Sequence, residues 1–172
     1  MKYVITGGPG CGKSTVIQEL AKLGYATFSE SARDVIDREL ARGGNRLPWA
    51  DWRGLQDDIL KLQLEKEADV KSVTFFDRGR IDGVAYYRLH GVEPSRELLE
   101  CCGRANYARV FMLEMLPGYE CDSGRREDAE TAREIARHLE AAYVDFGYSP
   151  AKVGVLPPVE RAEYVLEKAG FR

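Results

Sequence analysis

The chain has 172 residues, a length that favours one domain with one sizeable core. With 44% apolar and 31% charged residues, a net charge of −3 and a pI near 5.6, it has neither the basic face that phosphate-backbone binding needs nor, anywhere, an apolar run of the ~20 residues a membrane span needs. Nucleic-acid binding and membrane insertion are therefore not expected, and the chain reads as cytoplasmic.

Lys2–Thr6 is a short apolar run of strand formers that meets glycine at once. Val16, Ile17, Leu20 and Ala21 then recur at helical spacing, and Gly24 closes that helix. Tyr25–Ser29 is a second strand. Ala32, Val35, Ile36 and Leu40 mark a helix that stops at Gly43-Gly44, and Leu47-Pro48-Trp49 is a connector. A long amphipathic helix covers about Ala50–Val70, with Trp52, Leu55, Ile59 and Leu62 on one stripe. Val73–Phe76 is the third strand, of the type buried on both faces. Asp82–His90 and Ser95–Cys102 read as helices, the second started by Pro94. Arg109–Leu113 is the fourth strand and Pro117–Arg126 a polar loop. Ile135, Leu139, Ala142 and Phe146 mark a further helix, Lys152–Leu156 the fifth strand, and Pro158–Lys168 the last helix. Five alternations of strand and helix predict an α/β fold, a parallel sheet with helices on both faces. Ligands of such sheets bind beyond the C-terminal strand ends, which is where the motifs below fall.

Gly7-Gly8-Pro9-Gly10-Cys11-Gly12-Lys13-Ser14 fits G-x-x-x-x-G-K-[ST] without a mismatch, after a strand and opening a helix. The residue types follow from the task. Backbone N–H groups converge on phosphate oxygens only where Cβ atoms do not obstruct them, hence glycine. The helix that begins near Lys13 adds unpaired N–H groups and the positive end of its dipole. In this reading Gly8, Pro9, Gly10, Cys11 and Gly12 form the cradle. Lys13 reaches the β- and γ-phosphates, Ser14 ligates Mg²⁺, and Thr15 lies near the α-phosphate. The ligand is a nucleoside triphosphate, ATP or GTP; no Asn-Lys-x-Asp guanine motif is present, which favours ATP. Cys11 is expected to be a small residue pointing out of the loop. Cys101 and Cys102 are expected within a helix rather than in a disulfide, and the four cysteines and two histidines show no zinc spacing.

Val73-Thr74-Phe75-Phe76-Asp77 is an apolar strand that ends in an acid, the position from which P-loop proteins hold Mg²⁺ or its water shell. Arg78 adjoins that acid and faces either a phosphate or a surface ion pair. Glu30, at the end of the second strand, is either a base for a substrate hydroxyl or a helix-start acid capped by Ser29 or Ser31; Asp77 competes with it for the base role. Trp49, Trp52, Tyr86 and Tyr87 form either an aromatic wall for a ring or part of the core. Arg125 and Arg126 suit a lid that closes over a transferring phosphoryl group, whereas Arg133 and Arg137 read as a solvated helix face.

Taken in order, the glycine loop through Thr15, Ser29-Glu30-Ser31-Ala32-Arg33, Leu47-Pro48-Trp49, Phe76-Asp77-Arg78-Gly79 and Arg125-Arg126-Glu127-Asp128 resemble a small P-loop family described as an AAA-type ATPase domain. It groups with the ribosylnicotinamide kinase domain of the bacterial NAD-biosynthesis regulator and with the TRPL translocation-defect protein of flies. The resemblance runs to about Glu163. It implies a P-loop NTPase three-layer sandwich with kinase-type strand order 2-3-1-4-5, and ATP or GTP binding. It also makes Asp77-Arg78 the counterpart of the acid–arginine pair of nucleoside and thymidylate kinases, with Glu30 in the place of their acidic base. Two functions follow. One is a kinase that moves the ATP γ-phosphoryl group to a hydroxyl of a nucleoside-like small molecule. The other is an NTPase or NTP-gated module acting on a protein or lipid partner.

Overall fold

A computed structural model describes residues 1–117 and 129–172. The expected Arg125 and Arg126, and most of the Pro117–Arg126 loop, lie outside the described residues. The elements follow in the order β1 (Lys2–Thr6), α1 (Lys13–Lys22), β2 (Ala26–Phe28), α2 (Ser31–Arg42), α3 (Trp52–Ala68), β3 (Thr74–Asp77), α4 (Asp82–Leu89), α5 (Arg96–Gly103), β4 (Tyr107–Leu113), α6 (Ala129–Asp145), β5 (Ala151–Val153) and α7 (Pro158–Ala169).

The five strands form one parallel sheet in the order β2-β3-β1-β4-β5. Its register sets the site. Ile5 of β1 lies beside Asp77 of β3, and Phe28 of β2 beside Phe76, so the C-terminal ends of the first three strands open at one level. One sheet face is closed by α1 and α7 over Tyr3, Ile5, Phe75, Phe111 and Val153. The other is closed by α4 and α6 over Val4, Val110 and Met112. All of β3 is buried, as an apolar strand covered on both faces must be.

Several boundaries differ from the sequence pattern for local reasons. The third helix starts at Trp52 because the Asp51 carboxylate caps it, accepting from the Gly54 N–H at 2.9 Å. Ser95, and not Pro94, starts α5, with its hydroxyl accepting from the Leu98 N–H. The fifth strand ends at Val153, so residues 154–157 leave the sheet, and β4 gains Tyr107 and Ala108 at its start.

The larger surprise is the face that α3 buries. The stripe Trp52, Leu55, Ile59, Leu62 is apolar, yet the most buried side chains on the helix include Gln63 and Glu67. Glu67 pairs with the Arg80 guanidinium at 2.5 Å and accepts from the Tyr107 hydroxyl at 2.6 Å and the Gln63 amide at 3.1 Å. Gln63 in turn accepts from the Ser31 hydroxyl at 2.7 Å. A buried network of this kind is tolerated only while every member is satisfied. Glu67→Ala, which strands Arg80 and Tyr107, is expected to cost about 3–5 kcal/mol of stability in urea denaturation. A loss well below 1 kcal/mol would mean that the network contributes little.

Candidate functional site

The loop between β1 and α1 has the shape its glycines allow. Gly7, Gly10 and Gly12 all have positive φ (145°, 71° and 83°). At Gly8 the constraint is approach rather than angle: an added Cβ would lie 2.7 Å from the Ala132 carbonyl oxygen of α6. Lys13 folds back over the loop, its ammonium donating to the carbonyls of Gly7 (3.1 Å) and Gly8 (2.9 Å). Pro9 and Gly10 are half-buried, while Ser14 and Thr15 stand exposed on the first turn of α1. Cys11 corrects the expectation: it points inward, fully buried in the core cluster beneath α1 and α7, with its sulfur 3.6 Å from the Lys13 nitrogen.

Ser14 and Asp77 meet. The Ser14 hydroxyl donates to Asp77 Oδ2 at 2.7 Å, a contact made by chain segments 63 residues apart. Asp77 is 2% exposed, and its other oxygen, Oδ1, is a buried acceptor with no hydrogen-bond partner among the described residues. Burial, with the Glu30 charge adding to it, raises the Asp77 pKa; Lys13, Arg78 and the Ser14 hydroxyl offset this only in part. A hydroxyl beside a carboxylate with an unpartnered oxygen is a donor set that fits Mg²⁺, which takes one or two protein oxygens and completes its octahedron with water and substrate phosphates. Among the described residues there is no cluster of three metal-ligating side chains, so a closed, all-protein metal cage is not the arrangement present.

Arg78 is where the structure departs most from expectation. It has φ of +71°, in the left-handed region that a side chain bearing a Cβ rarely occupies, and its N–H donates to the Ile5 carbonyl at 3.0 Å. That turn sends the guanidinium inward. Its Nε donates to Glu30 Oε1 at 2.6 Å, and one terminal nitrogen donates to Asp82 Oδ1 at 3.1 Å and to the Gly7 carbonyl at 3.4 Å. Burial opposes the charge, but Tyr86, Glu30, Asp82 and Asp77 more than offset it and keep the group charged. Arg78 is therefore not a surface ion pair; its buried guanidinium tethers Glu30.

Glu30 occupies the N-cap position of α2, but its carboxylate makes no cap bond and turns to Arg78 instead. Burial alone would raise its pKa; Arg78, Lys13 and Arg33 outweigh that and hold it below the ordinary 4.5. Glu30 is thus an ionised carboxylate at neutral pH, near enough to Lys13 of the phosphate loop to feel its charge.

Asp82, which the sequence reading passed over, organises this corner. Its two oxygens accept from the Thr6 hydroxyl (2.7 Å), Arg78 (3.1 Å), the Gly79 N–H (3.0 Å) and the Tyr143 hydroxyl (2.6 Å). The end of β1, the turn after β3, α4 and α6 all meet on one carboxylate. Asp82 reads in sequence as a helix-start acid, and nothing in its local pattern marks it otherwise.

A cavity of about 410 Å³ opens from Glu30, Arg78, Gly79 and Asp82 and runs between α3, α4 and α5. Its far end is aromatic: Trp52 packs against Tyr87 with ring centres 4.9 Å apart and against His90 at 4.4 Å. Tyr86 lies beneath the Arg78 guanidinium at 5.5 Å. Of the expected aromatic wall, Trp52, Tyr86 and Tyr87 line the cavity; Trp49 does not and is 61% exposed.

The AAA domain family matches residues 2–160, and the chain belongs to that family. Among solved structures, NadR protein in complex with NR superposes with a TM-score of 0.72 at 16% identity, over 99% of this chain and 51% of that one. Deoxyadenosine kinase from M. mycoides, solved with dCMP and dCDP, superposes with a TM-score of 0.65 at 18% identity, over 99% of both chains. Identities this low establish the fold, that of P-loop kinases, with the strand order expected. In sequence, 116 residues are 27% identical to the tRNA modification GTPase MnmE of Wolbachia pipientis subsp. Culex pipiens (strain wPip), covering 66% of this chain but 24% of that protein's length. No helix among the described residues is long and apolar enough to cross a membrane.

The raised pKa of Asp77 carries a signed prediction. The native state binds this proton more tightly than the unfolded chain, so stability falls as pH rises from 3.8 through the raised value, and the cost persists at pH 7. Asp77→Asn removes the cost. It is expected to raise the thermal midpoint at pH 7 and to flatten the fall of that midpoint as pH rises from 3.8, read by thermal melts across pH. A lower midpoint in the variant would contradict this account of the acid.

Proposed function

We propose that this AAA-domain protein is a single P-loop domain, residues 1–172, that binds Mg·ATP and transfers the γ-phosphoryl group to a hydroxyl of a small, uncharged, ring-bearing acceptor of nucleoside-like chemistry. The observation that carries the reading is Glu30: an ionised carboxylate fixed by Arg78 at 2.6 Å, on the wall of a part-aromatic cavity and near enough to Lys13 of the phosphate loop for that charge to lower its pKa.

The phosphates sit on the N–H groups of residues Gly8–Thr15, with the Lys13 ammonium moving from the Gly7 and Gly8 carbonyls to the β- and γ-oxygens. Ser14 and Asp77 Oδ1 hold the metal side. Bound Mg²⁺ supplies charge neutralisation at the β- and γ-phosphate oxygens. Glu30 orients the acceptor hydroxyl and accepts its proton. A low-pKa carboxylate suffices, because a loose transition state demands little prior deprotonation of the nucleophile. Arg125 and Arg126 are the candidates to close over the transferring group. ATP, rather than GTP, is assigned on the missing guanine motif, and a kinase that draws on ATP belongs in the cytoplasm.

The neutral character of the acceptor follows from charge matching. The arginines that line the cavity among the described residues are both neutralised, Arg78 by Glu30 and Asp82, and Arg80 by Glu67. An acceptor phosphate or carboxylate would find no unmatched arginine there and would face Glu30. A planar ring, by contrast, fits the Trp52–Tyr87–His90 end.

The test is ADP release from Mg·ATP across nucleosides, nicotinamide riboside and nucleoside monophosphates. At least one uncharged nucleoside is expected to raise the rate many-fold, and the monophosphates are not. Glu30→Gln is expected to lower that rate by about 10²–10⁴ while leaving Mg·ATP affinity within a few-fold. A flat panel, with ATP still bound, would contradict the kinase reading in favour of a nucleotide-gated binding module.

A further inference from the structure

Arg161 lies on the first turn of α7, between Glu160 and Glu163, and in sequence it is one more charge on a solvated helix face. In the structure it is 2% exposed and among the largest fully buried side chains. Among the described residues its guanidinium donates only to main-chain carbonyls: Cys11 at 2.5 Å, Gly154 at 2.8 Å and Glu114 at 3.1 Å. These oxygens belong to three different segments, namely the phosphate loop, the residue after β5 and the residue after β4.

This placement is costly. A guanidinium is removed from water with no carboxylate hydrogen-bonded to it among the described residues, near the positive end of its own helix, and burial pulls its pKa down, which the Cys11 and Glu114 charges offset only in part. Packing alone would be served as well by Leu or Met, so the position calls for something only a planar fork of donors provides.

Peptide geometry says what that is. The Cys11–Gly12 peptide is trans, so the Cys11 carbonyl and the Gly12 N–H point in opposite directions. Holding the carbonyl against Arg161, inside the core, turns the Gly12 N–H outward, toward the concave side of the loop. Gly12, at φ of +83°, immediately precedes Lys13 and is the N-cap of α1. The bond to a cation also polarises that peptide and makes its N–H a stronger donor. The same guanidinium fastens the loop to the ends of β4 and β5, which fixes its height above the sheet. Arg161 packs directly on the loop as well: a Cβ added at Gly12 would lie 3.5 Å from its terminal nitrogen.

We propose that Arg161 is a positioning residue for phosphate binding: through the Cys11 carbonyl it presets the Gly12 N–H as a donor to the nucleotide phosphates. The inference rests on the phosphate-loop reading above and assigns a role to a residue outside the motif. It also explains why Cys11, though inside the loop, is turned into the core, since its carbonyl and side chain are both held from below.

Calorimetry of Mg·ADP binding and ¹H–¹⁵N spectra of the loop glycines, on wild type and Arg161→Met, test it. The variant is expected to bind Mg·ADP at least tenfold more weakly. At saturation its Gly12 amide should move less than half as far as in wild type, while the Gly10 amide, which is not tied to Arg161, moves as before. Affinity within twofold of wild type, an undiminished Gly12 response, or Gly10 and Gly12 responses shrinking together would each overturn the proposal, the last by making Arg161 merely structural. If Arg161→Met does not fold, wild type alone decides: bound Mg·ADP without a shift of the Gly12 amide defeats the idea. A wild type that binds no Mg·ADP would instead sink the phosphate-loop reading, and this inference with it.

Discussion

Burying a guanidinium is costly unless its charge and its donors are met, and the way Arg78 meets that cost shapes the site. Two carboxylates and a loop carbonyl meet it, and each comes from a different part of the chain: Glu30 from the end of β2, Asp82 from α4 and Gly7 from the phosphate loop. Removing any one leaves a buried charge short of a partner, which is far more costly than losing a surface pair. The arrangement therefore fixes Glu30 relative to the phosphate loop before any ligand arrives. Prepaid geometry of this kind is what a site for group transfer needs, because ordering its reacting groups is then not charged to the reaction.

A second polar layer supports the first. Gln63 donates to the Arg78 carbonyl at 3.4 Å and joins it to Ser31, next to Glu30, and to Glu67, beneath Arg80. The turn 77–80 is thus held from above by Asp82 and from below by α3. Backbone strain at Arg78, φ +71°, persists because this surrounding network over-determines it. On the far side of the loop, Arg161 does comparable work with, among the described residues, carbonyls alone. The phosphate loop is accordingly gripped on both flanks by buried arginines, one charge-matched and one not.

Much of this was legible in the sequence, for physical reasons. The glycine loop is a contiguous motif whose residue types are dictated by backbone approach. The strands are apolar runs buried on both faces, and their alternation with helices leaves few topologies. Asp77 and Ser14 were readable as a pair because each stands at a fixed place in that scheme. What escaped were residues whose meaning is set by partners distant in sequence. Asp82 and Arg161 look like ordinary helix-start charges, and Gln63 and Glu67 like the wet side of an amphipathic helix. Local pattern cannot distinguish a solvated charge from one hydrogen-bonded to a residue 61 or 150 positions away. The bond from Arg78 to Glu30 is not legible either, because the left-handed turn that aims the side chain there leaves no mark in the sequence. Cys11 was misread for the same reason, since the loop's path and not its composition turns the sulfur inward.

The measurement that tests the central claim most directly is a double-mutant cycle on acceptor kcat/KM between Asp82→Asn and Glu30→Gln. If Asp82 acts by holding Arg78, and Arg78 by holding Glu30, the double variant should be no worse than Glu30→Gln alone, within about twofold. Losses that multiply would mean that Asp82 and Glu30 act independently, and that the buried arginine does not carry the geometry of the site.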